Sequence, residues 1–189
     1  MEVYKLNLPD GDQLEFQIAF VNEPATESNF MAFSQKVNHY KFKEVDSERK
    51  ILMGYFMIAD LEIPRWDAQR GAYNVIFPRE SVDKIVKNWA KNGINKNLNE
   101  NHQTNKFAEG VYVLQHWQVD SKLGISAPKD LKQEPDGSWV GLVQCDNQEI
   151  YDKAKSGEYN GFSIECKFIE EKFGSTIESQ LESFLQSLA

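Results

Sequence analysis

A chain of 189 residues, 41% hydrophobic and 26% charged, is long enough for one domain with a proper core, too short for two ordinary ones, and too apolar for wholesale disorder. A formal net charge of -8 without a dense Lys/Arg block excludes a phosphate-neutralising nucleic-acid binder, Lys36, Lys41 and Lys43 being too sparse to change this. No apolar run reaches bilayer length and Met1-Glu2-Val3-Tyr4 lacks signal-peptide character, so the protein is expected to stay where it is made, with Cys145 and Cys166 as reduced, buried thiols in a cytosolic setting.

Alternation in Tyr4-Lys5-Leu6-Asn7-Leu8, the turn signal Pro9-Asp10-Gly11-Asp12 and Leu14-Glu15-Phe16-Gln17-Ile18 predict a hairpin of two strands. Residues 26–48 are polar with scattered aromatics and read as an arm or long loop. The glycine-interrupted apolar run Ile51 to Ala59 predicts a buried strand, left through a loop at Pro64-Arg65-Trp66-Asp67. Tyr73 to Phe77 reads as a strand that runs into Pro78 and a helix whose apolar face is Val82, Ile85, Val86 and Trp89, stopping at Gly93. Strands follow at Val111 to Val119 and Trp139 to Val143, with Asp136-Gly137 as a turn between them. The spacing of Asp146 and Glu149 predicts the capped start of a short helix carrying Ile150, Tyr151 and Ala154 and ending at Gly157. Gly161 to Phe168 reads as a strand with Ser163, Glu165 and Lys167 on one face and Phe162, Ile164, Cys166 and Phe168 on the other. A capping box at Ser175-Thr176-Ile177-Glu178 begins an amphipathic helix with Ile177, Leu181, Phe184, Leu185 and Leu188 on one side.

Three histidines are available as a general base. His39 lies in the polar arm and His116 inside a strand beside Trp117, whereas His102, in Asn99-Glu100-Asn101-His102-Gln103, sits in a loop between regular elements, where functional groups concentrate. Spacing alone does not single out His102 or Ser163, because a histidine in a polar loop is ordinarily just solvated and a serine on a strand is ordinarily a small polar residue. A metal site around Glu100 and His102 would have to be assembled from scattered ligands, since no HExxH or CxxC pattern occurs. Cys166 alternates onto the apolar face, which makes it a poor nucleophile, and the single glycines form no phosphate-binding loop.

Taken in order, Ile51 to Ala59, Pro64-Arg65, Asn97-Leu98-Asn99-Glu100-Asn101-His102, Gln115-His116-Trp117-Gln118-Val119-Asp120, Asp136-Gly137-Ser138-Trp139-Val140-Gly141 and Gly157-Glu158-Tyr159-Asn160-Gly161-Phe162-Ser163-Ile164-Glu165 resemble the XkdF-like phage prohead serine proteases. Phe20-Val21-Asn22-Glu23-Pro24-Ala25 is similar to a segment near the start of that group. The likeness spans roughly residues 15–170 and rests on shared order and spacing, each fragment being unspecific by itself. It implies an α+β, assemblin-like fold, a small, mostly antiparallel β-barrel wrapped by helices. The organisation expected is an N-terminal hairpin and arm over 1–48, a protease core over 49–170 and a C-terminal amphipathic helix over 171–189.

The same resemblance implies a serine endopeptidase that cleaves scaffold and major capsid protein extensions inside the immature capsid, in the host cytoplasm, without cofactor or metal. The family's serine falls on Ser163 and its histidine on His102. Glu165 matches the glutamate of the family's Ser-Ile-Glu and is the residue expected to orient His102, the alternative being a solvent-facing or lysine-paired carboxylate. A homodimer is compatible with the family, and neither nucleic acid nor membrane is an expected partner. A non-catalytic capsid or scaffold component with the same fold is the competing reading. The acidic, helical residues 170–189 carry no family motif.

Overall fold

Alternation of apolar and polar side chains over short runs makes strands the dominant element, and among the described residues 3.6-residue periodicity yields two α-helices. The computed structural model describes residues 2–9, 16–21, 42–96, 98–103, 107–131 and 133–173. Its elements are β1 (Val3–Asn7), β2 (Phe16–Val21), β3 (Lys43–Asp46), β4 (Ile51–Met57), β5 (Ile63–Asp67), β6 (Gly71–Ile76), α1 (Arg79–Asn92), β7 (Leu98–Glu100), β8 (Val111–Gln118), β9 (Trp139–Cys145), α2 (Gln148–Ser156), β10 (Gly161–Cys166) and β11 (Ile169–Lys172). They form three sheets, in the orders β11-β1-β6-β5, β10-β2-β7 and β3-β4-β9-β8. Pairing is antiparallel except for β1 with β6 and β2 with β7. The architecture is therefore mixed α+β, mostly strands with two helices, and hydrogen bonding among the described strands closes no sheet into a barrel.

The hairpin expected from the first two strands is not formed. β1 pairs with β11 and β6, whereas β2 lies between β10 and β7 in another sheet. Tyr4-Lys5-Leu6 and Phe16-Gln17-Ile18 were each rightly strand-like, but the turn residues between them could not reveal that their partners lie far along the chain. The loop expected at Pro64-Arg65-Trp66-Asp67 is strand β5, and its proline is tolerated because β5 is the edge of its sheet, where a missing N–H breaks no ladder. α2 is capped by Asn147, whose side chain accepts from the Ile150 N–H at 3.2 Å, so the cap falls one residue beyond the Asp146 that spacing predicts. α1 ends as expected, with Gly93 in the left-handed conformation and its N–H returned to the Trp89 carbonyl. Most of the polar arm and the C-terminal amphipathic helix lie outside the described residues.

What positions the later strands is a run of packed aromatic rings. Trp89 of α1 meets Trp139 of β9 at 5.3 Å between centroids, Trp139 meets Phe56 of β4 at 4.9 Å, Phe56 meets Phe162 of β10 at 5.2 Å, and Phe162 meets Phe20 of β2 at 5.3 Å. All five side chains are buried, and the contacts are edge-on, the arrangement that ring quadrupoles favour. Two glycines make room for this chain. A Cβ on Gly54 would stand 3.1 Å from the Phe162 ring, and one on Gly141 would stand 2.3 Å from the ring of Phe56.

At the edge of the first sheet, Arg70 lies 4.0 Å from the centroid of the Tyr73 ring and 5.1 Å from that of Tyr4, and it donates to Asp67 and Glu170. That one guanidinium ties β1, β6 and β11 together. Gly141→Ala is expected to lower stability by about 1–3 kcal/mol through overpacking against the buried Phe56 ring, read as a thermal midpoint lowered by about 2–4 °C per kcal/mol; an unchanged midpoint would mean that the ring yields freely.

Candidate active site

The site is assembled by register. In the antiparallel ladder of β10 with β2, Ser163 stands opposite Ala19 and Glu165 opposite Gln17, and in the parallel ladder of β2 with β7, Ala19 stands opposite Asn99. Residues opposite one another on adjacent strands share a face. Ser163, Ala19 and Asn99 thus form one row across three strands, with Glu165 and Gln17 in the next. Phe162 and Ile164 occupy the other face and belong to the core, so the alternation expected of this strand holds. Ser163 is 6% exposed and Asn99 is fully buried.

His102 reaches this face from a tight turn. After β7, the Gln103 N–H donates to the Glu100 carbonyl at 3.1 Å, and the two central residues, Asn101 and His102, have φ of 49° and 55°. Positive φ at both central positions is the type I′ pattern, which asparagine tolerates and which favours glycine at the second position. Histidine there costs about 1–2 kcal/mol relative to the relaxed backbone. The turn is pinned from both sides: the Asn101 N–H donates to the Phe20 carbonyl of β2 at 2.9 Å, and the returning chain bridges at Phe107 opposite Asn99.

The turn sets His102 Nδ1 at 3.9 Å from Glu165 Oε2, an ion-pair distance for a protonated imidazole. The same carboxylate oxygen accepts from Asn99 Nδ2 at 3.1 Å, and Asn99 Nδ2 also donates to Gln17 Oε1 at 2.5 Å. The structure therefore places His102 and Glu165 beside one another. It places Ser163 on the same face of the same strand, two residues from Glu165 and so about 7 Å along β10. Among the described residues Ser163 Oγ makes no side-chain hydrogen bond, so the Ser163–His102 contact of a completed dyad is not formed. Asn99 and Gln17 were not singled out from sequence; the one signal for Asn99 was its place three residues before His102.

Glu100 points elsewhere. Its carboxylate accepts from Tyr159 Oη at 2.6 Å and pairs with Lys153 Nζ at 3.1 Å, which ties β7 to α2 and the segment after it. Burial, then that hydrogen bond, pushes the Tyr159 hydroxyl up to about 12. Glu100 is thus engaged in structure, and no metal-binding cluster of His, Cys, Asp and Glu occurs among the described residues. Cys145 is buried and Cys166 half-buried, both are free thiols, and burial pushes each up to about 11, so neither is an activated nucleophile.

Beside β10 lies a cavity of about 200 Å³ whose lining includes Ser163, Phe162, Ile164, Cys166, Arg65 and Trp66. Its walls come from β4, from β10 and from strands of the first sheet, and β4 and β10 lie side by side without a ladder. Neither His102 nor Glu165 is part of its lining. Comparison with models of known protein families, with curated proteins and with solved structures finds no match to this chain.

His116 is a different kind of histidine. It lies in β8, where Trp139 Nε1 donates to its Nδ1 at 3.2 Å and the rings of Trp89 and Trp139 pack edge-on to it. That hydrogen bond needs a neutral imidazole, and burial lowers the pKa of His116. The unfolded chain therefore takes up a proton more readily than the folded one. The stability contributed by neutral His116 is complete above the ordinary histidine value of about 6.5 and is lost as pH falls through that value toward the lower folded one. Thermal midpoints measured from about pH 7.5 to about pH 5 should fall toward acid, and His116→Gln, which keeps an acceptor for Trp139, should flatten the slope; an identical slope in the variant would assign the acid sensitivity to other groups.

Proposed function

We propose that this chain is a prohead serine endopeptidase, with Ser163 as nucleophile, His102 as general base and Glu165 as the group that orients and stabilises the imidazolium. The observation that carries this reading is the placement of His102. A residue held at φ 55° where glycine would be relaxed, in a turn pinned to β2 and aimed at a carboxylate on the face that carries Ser163, is strain retained at a chemically competent position.

In the reaction, neutral His102 takes the Ser163 proton, the alkoxide attacks the scissile carbonyl, and the imidazolium returns the proton to the leaving amine. Glu165 keeps Nδ1 as the protonated nitrogen, which makes Nε2 the nitrogen that acts as the base. Substrate binding must draw Ser163 Oγ and His102 into hydrogen-bond distance, a closure typical of catalytic pairs that are loose before the substrate arrives. The assemblin-like barrel belongs to the same proposal: β10 lies against β4 without pairing, and closure at that seam would join two of the three sheets. The substrates proposed are extensions of phage scaffold and major capsid protein, cut inside the prohead in the host cytoplasm by a monomer or homodimer. The absent Ser163–His102 hydrogen bond favours the second reading, a non-catalytic component of the same assembly that binds scaffold or coat.

The test is co-expression of wild type, Ser163→Ala and His102→Ala with coat and scaffold proteins, followed by intact-mass analysis. Defined cleavage by wild type should fall by about 10⁴-fold or more in either variant. Cleavage that survives Ser163→Ala would remove the nucleophile assignment, and uncleaved products from all three chains in assembled proheads would favour the non-catalytic reading. His102→Gly separates function from folding: the relaxed turn should hold or raise the thermal midpoint while cleavage is lost. A lowered midpoint would show that His102 supports the fold.

A further inference from the structure

Asn99 is the least economical residue in the site. It is fully buried, at the β7 end of a three-stranded row, yet its Oδ1 accepts no hydrogen bond from a described residue. An unmet buried acceptor costs about 1–3 kcal/mol, and an aliphatic side chain of similar volume would avoid that cost. The orientation of the amide is set by chemistry, because an ionised Glu165 can only accept, so Nδ2 must be the atom that faces it. With Gln17 Oε1 as the second acceptor, Asn99 ties β7 to β2 and β10, and the Glu165 carboxylate it holds stands 3.9 Å from His102 Nδ1.

We infer that Asn99 is a positioning residue, which holds the Glu165 carboxylate so that His102 carries its proton on Nδ1. This rests on the reading of His102 as a base oriented by Glu165. Asn99 touches no reacting atom; its effect passes through Glu165. Removing it frees the carboxylate to swing toward solvent, and the imidazole loses the partner that selects its tautomer. Displacement of a catalytic group by about 1 Å can cost about 100-fold in rate.

The experiment compares wild type, Asn99→Leu and Asn99→Ser by thermal melting, by nitrogen NMR of the imidazoles with His102 identified through His102→Gln, and by cleavage kinetics on whichever capsid-protein substrate the co-expression assay identifies. In wild type, His102 should be mainly the Nδ1-protonated tautomer. In Asn99→Leu that preference should be lost, turnover should fall about 10- to 100-fold with KM little changed, and the midpoint should hold or rise. Asn99→Ser, too short to span the gap and too small to overpack, should show the same tautomer change if the leucine variant does not fold. A lower midpoint with the wild-type tautomer and turnover would overturn the inference and make Asn99 structural. If wild type cleaves nothing while Asn99→Leu still shifts the tautomer, the positioning role stands and the protease reading falls.

Discussion

Everything at the site depends on Phe162 being held in the core. The ring packs between Phe56 and Phe20 and reaches Trp139 and Trp89 through Phe56, and because side chains alternate along a strand, fixing Phe162 inward fixes Ser163 and Glu165 on the opposite face. A slip of one residue in β10 would bury Ser163 and Glu165 among aromatic rings and turn Phe162 and Ile164 onto the polar face. The cost of burying an unpaired carboxylate and exposing two large apolar side chains is what specifies the register. Gly54 takes part by leaving room for the Phe162 ring over β4. Core packing and site geometry are thus one constraint seen from two faces of a sheet.

β2 then converts one fixed face into a constellation. As the middle strand between β10 and β7, it sets their relative register, and its small Ala19 separates Ser163 from Asn99 in the same row. His102 is added by a turn rather than by a strand, so its position is set by two hydrogen-bonded anchors and two left-handed residues. The polar groups of the face differ in how they are satisfied. Glu165 is half-buried and partnered, Glu100 on the same β-turn is drawn away by Tyr159 and Lys153, and Asn99 is buried with unmet capacity. Among the described residues, the division leaves Glu165 as the carboxylate beside His102.

Local patterns in the sequence were sufficient where one element satisfies itself. α1, its Gly93 stop, β4, β6, β8, β9 and the alternation of β10 are each written in a short window, as is the burial of Cys145. The strands missed, β3, β5, β7 and β11, are four to five residues or fewer; they carry charged residues or a proline, and they exist because a neighbour offers a ladder. The false hairpin has the same origin: two strand-like runs joined by a turn-like run look like partners, whereas pairing is decided by where each buries its apolar face. At the site, Ser163, His102 and Glu165 came from a resemblance to a family's order of motifs, and the structure brings two of the three into contact. Gln17 and Asn99 could not be read from sequence, since the row that unites them with Glu165 is a product of register across strands separated by 66 residues and more.

The first and last strands of the described fold pair with each other: β1 runs against β11, Tyr4 opposite Lys172, and Arg70 stacks across the junction. A contact of such sequence separation carries nearly the whole loop-closure entropy of the chain, and topologies rich in such contacts fold slowly. On a ribosome, β1 and β2 emerge first and wait with exposed edges, one for β6 and β11, the other for β7 and β10. The strand bearing Ser163 and Glu165 is among the last to arrive, and it is the one that completes the polar face. The residues of the histidine turn are therefore made long before Ser163 and Glu165. The face that carries Ser163, Glu165 and His102 is assembled only when synthesis of the sheet is almost finished, a delay set by strand order alone.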